Sequence, residues 1–258
     1  MQNGVTMRLE GRTAVVTGAG RGIGRAIALG LADLGAVSVL VARSADELDK
    51  TIELVNGRGG HAVAAPTDLG SPGAVAEVVS RAEAALGPID VLVNNAATVQ
   101  PLSPSPDVDI SAWNAALQLN VTVPAALAFA LLPGMLSRGW GRVVNVSSGI
   151  AANPGFMIGG NAYATTKAAL EAHTLNLAAE LDGSGVTANV YRPGSVDTAM
   201  QAWIRDNGKD RVADATHQNF LRNHEQGALI SPEDSAAVLL RQLTGPDNGR
   251  IWDVRDRA

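Results

Sequence analysis

Tyr163 and Lys167 stand four residues apart in Tyr163-Ala-Thr-Thr-Lys167. On a helix that spacing puts both side chains on one face. A tyrosine ionises near pH ~10, too high for a base at neutral pH. An ammonium beside it stabilises the phenolate and lowers that value. Alone, the spacing also fits a surface pair. Its setting singles it out: Tyr163 is one of 2 tyrosines, and it follows a serine pair, Ser147-Ser148, and a flexible stretch of Gly, Ala and Asn.

A second feature lies near the start of the chain. The apolar run Ala14–Val16 reads as a buried strand. A turn with Gly18, Gly22 and Gly24 follows, and then Ile23, Ile27, Leu31 and Leu34 recur at helical spacing. Strand, glycine turn and helix point free backbone N–H groups at a phosphate. Glycine is required where a side chain would block the pyrophosphate. The Gly-x-Gly-x-x-Gly pattern is absent here, because Ile23 and Arg25 interrupt it; the pattern is Gly18-x-x-x-Gly22-x-Gly24, preceded by Thr17. A tight turn without ligand would use the same residues.

Strand and helix signals alternate through the rest of the chain. Strands are expected at Val37–Val41, His61–Ala65, Ile89–Val93, Arg142–Val146, Val186–Tyr191 and Arg250–Val254. Between them, Ser44-Ala-Asp-Glu47 reads as a capping box. Ser71-Pro72 reads as the start of a helix that runs to about Leu86. A long helix starts near Ser111, another covers Asn161–Leu181, and Ser231-Pro232 caps a last one. The alternation predicts an α/β fold, a Rossmann-like doubly wound parallel sheet of about seven strands with helices on both faces. No linker or composition break divides it, so residues 1–258 read as a single domain.

Such sheets bind ligands beyond the carboxyl ends of their strands. The polar residues there are Ala42-Arg43, Thr67-Asp68-Leu69, Asn94-Asn95-Ala96-Ala97, Ser147-Ser148 and Arg192-Pro193-Gly194, all expected on the edge that holds the glycine turn. The second strand ends without the acidic residue that would bind the ribose hydroxyls of NAD. Arg43 stands there instead, and Arg21 in the glycine turn can reach the same region. Two guanidinium groups suit a 2′-phosphate, which predicts NADP(H) over NAD(H).

Hydrophobic residues make up 46% and charged residues 17% of the 258 residues, a globular composition, and the net charge of −5 gives no case for nucleic acid. There is no cysteine, so disulfides and thiolate catalysis are excluded. Met1–Arg12 lacks the apolar core of a signal peptide. The apolar run Val121–Leu136 is broken by Pro124 and Pro133 and falls short of a membrane span of about 20 residues. A cytoplasmic protein without membrane contact is expected. His61, His173, His217 and His224 have no metal-ligand spacing, so no metal is expected. The helices near 111–136 and 161–181 are apolar on most faces, which predicts a homodimer or homotetramer formed through them.

With these residues in view, the chain resembles the short-chain dehydrogenase/reductase family from about Leu9 to Val254. The motifs appear in order: Thr17-Gly18-x-x-x-Gly22-x-Gly24, Asp68, Asn94-Asn95-Ala96, Asn120, Ser148, Tyr163-x-x-x-Lys167 and Pro193-Gly194-x-Val196-x-Thr198. The resemblance implies that Tyr163 is the general acid in carbonyl reduction and the base in alcohol oxidation. Lys167 would lower the pKa of Tyr163 and hold the nicotinamide ribose. Ser148 would bind the substrate carbonyl, and Asn120 would hold a water linking Lys167 to solvent. Gly18, Gly20, Arg21, Gly22, Ile23 and Arg43 would cradle the phosphates. Asp68 and Leu69 would border the adenine, Asn94 and Ala96 would line the cofactor, and Pro193, Gly194, Val196 and Thr198 would contact its nicotinamide half.

The sequence departs from the family pattern in places. Ala97 replaces a usual glycine, conservative only if its φ is negative. Gly149–Ala162 is slightly longer than usual and leaves Ser147 as an alternative to Ser148. The C-terminus through Ala258 lacks the family's glycine-ended tail. A mobile, partly helical substrate lid is expected at about 194–230, with Phe156, Met157 and Ile158 as an apolar wall. These suit a small or medium apolar ketone or alcohol. The implied function is an NADP(H)-dependent carbonyl reductase or alcohol dehydrogenase. A 3-oxoacyl thioester reductase, a related epimerase or dehydratase, and a non-catalytic redox sensor are the alternatives.

Overall fold

The computed structural model describes residues 9–255. The signal-peptide reading and the last three residues of the atypical C-terminus fall largely or wholly outside that range. Seven parallel strands form one sheet in the order β3-β2-β1-β4-β5-β6-β7. They are β1 (Thr13–Thr17), β2 (Val37–Ala42), β3 (Ala62–Pro66), β4 (Val91–Asn94), β5 (Gly141–Val146), β6 (Val186–Arg192) and β7 (Ile251–Asp253). The strand order reverses between β1 and β4, the point at whose carboxyl ends sheets of this kind hold their ligands.

The strands are apolar because both faces of the sheet are covered. Helices α1 (Gly22–Asp33), α2 (Ala45–Gly57) and α9 (Pro232–Leu243) cover one face. Ile27, Leu31, Leu48, Leu239 and Leu243 pack there with Ala14, Val16, Leu40 and Val144. Helices α3 (Ala74–Leu86), α5 (Val123–Arg138) and α6 (Asn161–Glu180) cover the other. There Val78, Leu127, Leu131 and Leu177 meet Val15, Val39, Leu92 and Val143. Successive residues of β1 thus feed opposite cores, as a period of two requires.

Ser44 caps α2 by accepting from the Glu47 N–H at 3.2 Å, and Ser231 caps α9 by accepting from the Asp234 N–H at 3.0 Å. Ser71-Pro72 does not open α3. That helix begins at Ala74 behind Gly73, whose φ of 79° makes the turn with no side-chain cap. The short helix α4 (Ile110–Leu117) leads through a π-helical turn, Gln118–Thr122, into α5. The continuous helix Ile110–Arg138 has 29 residues and a mean hydropathy of 1.8 in its most apolar window. By length and composition it could cross a membrane, contrary to the shorter run expected from sequence, because Pro124 and Pro133 do not end it. Its Leu127, Leu131 and Met135 are buried against the sheet.

After β6 the chain forms α7 (Ala199–Asn207) and α8 (Asp214–Glu225) before returning to α9. Val196 makes a parallel bridge with Ile230, which closes the base of this excursion.

Candidate active site

The end of β5 and the first turns of α6 are joined residue by residue. Val146 accepts from the Lys167 ammonium at 2.7 Å. Ser147 donates to Glu171 Oε1 at 2.7 Å. Ser148 shares a side-chain hydrogen bond with Tyr163. Three successive residues therefore meet three successive turns of one helix face, the spacing that Tyr163, Lys167 and Glu171 require. The two serines take different partners on α6, and only one of them reaches the tyrosine. That serine is Ser148; Ser147 is 2% exposed and turned to Glu171.

Burial raises Tyr163 above the usual tyrosine value, and the Ser148 hydrogen bond opposes the rise. The expected lowering by Lys167 is not the dominant influence here. The ammonium nitrogen lies 5.7 Å from the Tyr163 ring centroid and is directed at the Val146 carbonyl. Burial also lowers Lys167 from 10.5 to about 8, opposed by the charge of Glu171. Tyr163 is thus a neutral phenol at pH 7, able to donate a proton to an oxygen held between it and Ser148.

Asn120 sits in the π-helical turn and is 1% exposed. Its side chain accepts from the Thr98 N–H at 2.8 Å and donates to the Thr98 carbonyl at 2.8 Å and to Thr166 Oγ at 3.1 Å. The side chain therefore ties the loop after β4 to α6, and both its N–H donors are committed.

The glycine turn lies at the strand-order reversal. Gly18 has a φ of 66°, and a Cβ there would stand 2.8 Å from the Asn95 amide. A Cβ on Gly24 would collide with the Gly18 carbonyl. A Cβ on Gly22 would meet the Thr198 methyl at 3.3 Å, so the turn and Thr198 face each other closely. Helix α1 opens at Gly22 with no capping side chain and no acidic residue in its first turn. Its free N–H groups and uncompensated dipole fit the pyrophosphate of a dinucleotide.

Thr17 and Asn95 hold this turn against β4. Thr17 Oγ accepts from the N–H groups of Asn95 and Ala96 at 3.0 Å each. Asn95 donates to the Thr17 carbonyl at 3.0 Å. Asn94 is buried and donates to Asn145 at 2.8 Å, and its Oδ1 has no partner among the described residues. Ala97 does not have positive φ, so replacing a glycine there causes no strain.

The remaining sites border the same edge. Asp68 is exposed and accepts from the Gly70 N–H at 3.1 Å, beside buried Leu69. Pro193 accepts from Ser235 Oγ at 3.0 Å, Gly194 has a φ of 78°, and Val196 is buried. Thr198 caps α7. Arg43 is exposed just after β2 and makes no ion pair among the described residues. Arg21 is not free beside it: its Nη1 lies 3.3 Å from Glu47 Oε1 on α2. Ile23 is half-buried in the first turn of α1.

Over Tyr163, the residues Val99, Leu102, Met157, Ile204 and Val212 form a buried apolar cluster, joined by Met200, Trp203 and Phe220. Only Met157 of the three expected wall residues takes part. Phe156 and Ile158 are 74% and 62% exposed; Phe156 ends the short 3₁₀ turn Pro154–Phe156, and Ile158 lies in the turn just after it. Glu47 and Glu171 were not legible as site residues: Glu47 read only as part of the cap of α2, and the signal for Glu171 was that it lies one helical turn beyond Lys167. Arg192 was legible as a polar residue at the end of β6, but not as the partner of Glu171.

The profile of the short chain dehydrogenase family matches residues 12–209. The chain is 32% identical over 239 residues to the 2,3-dihydro-2,3-dihydroxybenzoate dehydrogenase of Bacillus subtilis, covering 92% of this chain and 90% of that one. Among solved structures it resembles the L-sorbose reductase of Gluconobacter frateurii complexed with NADPH and L-sorbose. There the TM-score is 0.85 at 28% identity, with 96% of this chain and 97% of that one covered. It also resembles a 7α-hydroxysteroid dehydrogenase complexed with NADH and 7-oxoglycochenodeoxycholic acid, with a TM-score of 0.83 at 30% identity and 98% and 96% covered.

Proposed function

The chain belongs to the short-chain dehydrogenase family, and on that premise we propose that it is an NADP(H)-dependent oxidoreductase acting on a carbonyl or secondary alcohol, with Tyr163 as its acid/base. One observation carries this reading: half-buried Tyr163 is hydrogen-bonded to Ser148, one helical turn from a buried Lys167 whose ammonium is held by the Val146 carbonyl. When bound, the nicotinamide dinucleotide supplies or accepts the hydride. Tyr163 gives its phenolic proton to the carbonyl oxygen as that oxygen gains negative charge. Ser148 donates a second hydrogen bond to the same oxygen. Lys167 stabilises the phenolate left behind, and the same groups run in reverse for an alcohol.

The preference for NADP(H) rests on Arg43, an exposed cation in the place where an acidic residue would repel a 2′-phosphate. Arg21 joins it by exchanging Glu47 for the phosphate. The apolar cluster over Tyr163 favours a small or medium apolar ketone or alcohol, with α7 and α8 as the lid. Phe129 and Leu136 on α5 and Leu175 on α6 are exposed apolar residues, which supports a homo-oligomer formed through these helices.

The test is NADPH oxidation against a panel of carbonyl compounds, with NADH in parallel and Tyr163→Phe as control. Turnover that vanishes in the control supports the assignment. Tight cofactor binding, with no turnover of any carbonyl or alcohol in either direction, refutes it in favour of a redox sensor.

A further inference from the structure

Glu171 is 8% exposed, lies one turn beyond Lys167 on α6 and touches neither the tyrosine nor the crevice-facing serine. It is nonetheless fully engaged. Its Oε1 accepts from Ser147 Oγ at 2.7 Å and from Arg192 Nε at 2.8 Å, and its Oε2 accepts from Arg192 Nη2 at 2.6 Å. A paired guanidinium fork of this kind is among the most directional contacts a carboxylate makes. It joins three elements, because Ser147 follows β5, Glu171 is on α6 and Arg192 ends β6. Each neighbour along the chain has a place at the site: Ser148 follows Ser147, Lys167 precedes Glu171 by one turn, and Pro193-Gly194 follows Arg192.

We propose that Glu171, clamped by Arg192, is a positioning residue for the Tyr163–Lys167 pair, holding α6 in register with the end of β5 and keeping Lys167 in its ammonium form. The proposal rests on the reading of Tyr163 and Lys167 as the reacting pair. A buried ion pair seldom adds net stability over a well-packed apolar pair, so its presence beside the site calls for another account. Position is one part of it: losing the Ser147 bond frees the residue that carries Ser148. Charge is the other. Tyr163 and Glu171 face Lys167 from its own helix, and Arg192 faces Glu171 from β6. Asp253 on β7 and Arg255 act on Arg192 in turn. Of these, the charge of Glu171 is the one that acts on Lys167, favouring its protonated form.

The experiment reads Lys167 directly. The chain has three lysines, Lys50, Lys167 and Lys209, and the other two are exposed. NMR of side-chain-labelled lysine therefore resolves its titration without any substrate. Glu171→Gln lowers the midpoint of Lys167 by about one pH unit. The alkaline fall of carbonyl-reductase turnover moves with it, and kcat drops roughly ten- to a hundredfold. The NADPH dissociation constant changes by less than about threefold. Glu171→Asp restores the midpoint but not the full kcat. Should the glutamine variant fail to fold, Glu171→Met with Arg192→Met removes both charges in an apolar replacement, and the same fall of the midpoint is expected. An unchanged midpoint in the variant that folds, or a midpoint that moves while kcat is untouched, overturns the proposal. A wild type without turnover on any substrate would sink the reductase reading while leaving the lysine titration to decide the charge effect.

Discussion

Arg21 Nη1 lies 3.3 Å from Glu47 Oε1, so a side chain expected to meet the cofactor's phosphate is already held by a carboxylate. The pair spans the glycine turn and the first turn of α2. A Cβ on Gly20 would stand 3.0 Å from the same carboxylate's Oε2, so Glu47 also packs over the turn. A 2′-phosphate reaching Arg21 displaces Glu47 or meets its charge. Glu47→Gln removes that competition, and NADPH affinity rises about two- to fivefold, the scale of an exposed ion pair. NADH affinity stays within about twofold. Fluorescence titration of both cofactors checks this; equal gains for the two would show that Glu47 does not act through the phosphate.

The two adjacent serines separate in function. Ser148→Ala removes a hydrogen bond aimed at the reacting oxygen, and kcat falls about 10²-fold or more while cofactor binding is retained. Ser147→Ala removes one donor from buried Glu171. It lowers stability by about 1–3 kcal/mol and reduces kcat far less than Ser148→Ala. Steady-state kinetics beside urea unfolding separates the two, and a Ser147→Ala variant as inactive as Ser148→Ala would contradict the assignment.

Activity and stability part company in alkali. Lys167 in the folded chain is lowered from 10.5 to about 8 by burial. Between those values the unfolded chain binds the proton that the folded chain has lost, so stability rises with pH across that window. The rise amounts to about 3 kcal/mol at most. Above pH ~10 the direction reverses, because Tyr163 and Tyr191 are both raised in the fold and Tyr191 is pushed up to about 12. Over the same window carbonyl reduction declines, since the ammonium is lost. Melting temperature and turnover measured from pH 7 to 9.5 should move in opposite senses; parallel decline in both would show that Lys167 is not the titrating group.

These contrasts show what the sequence carried and what it did not. Sheet and helix order were legible because apolar runs and caps are local, as at Ser44 and Ser231. The Ser71-Pro72 start was misread because a turn made by Gly73 satisfies the backbone without a capping side chain. Tyr163, Lys167 and the glycine turn were legible through spacing together with setting, the serine pair before Tyr163 and the strand-turn-helix pattern around the glycines. Glu171 was not: on a largely apolar helix it reads as one polar interruption, and its meaning depends on Ser147 and Arg192, which arrive from two other strands. Arg21 was legible as a cation near the turn, but its engagement with Glu47 depends on how α2 leans over Gly20. Phe156 and Ile158 read as wall residues by composition, whereas the 3₁₀ turn that ends at Phe156 and the turn after it, which holds Ile158, leave both exposed.

The exposed apolar residues of α5 and α6 give the last prediction. Phe129 is 57% exposed and Leu136 45%, and Phe129 stacks edge-on against His173 of α6 with ring centroids 5.6 Å apart. The contact joins two helices whose opposite faces are already committed to the sheet through Leu127, Leu131 and Leu177. Water is an unfavourable neighbour for such a face, and under the proposed homo-oligomer a second copy of the same pair of helices would cover it with matching chemistry around a two-fold axis. Phe129→Glu with Leu136→Glu places four charges at such an axis, two from each copy. Sedimentation velocity then shows a monomer where the wild type sediments as a dimer or tetramer. The sheet core is untouched by either change, so circular dichroism stays as in the wild type. A wild type that sediments as a monomer at micromolar concentration would leave these helices without the role that their exposed faces suggest.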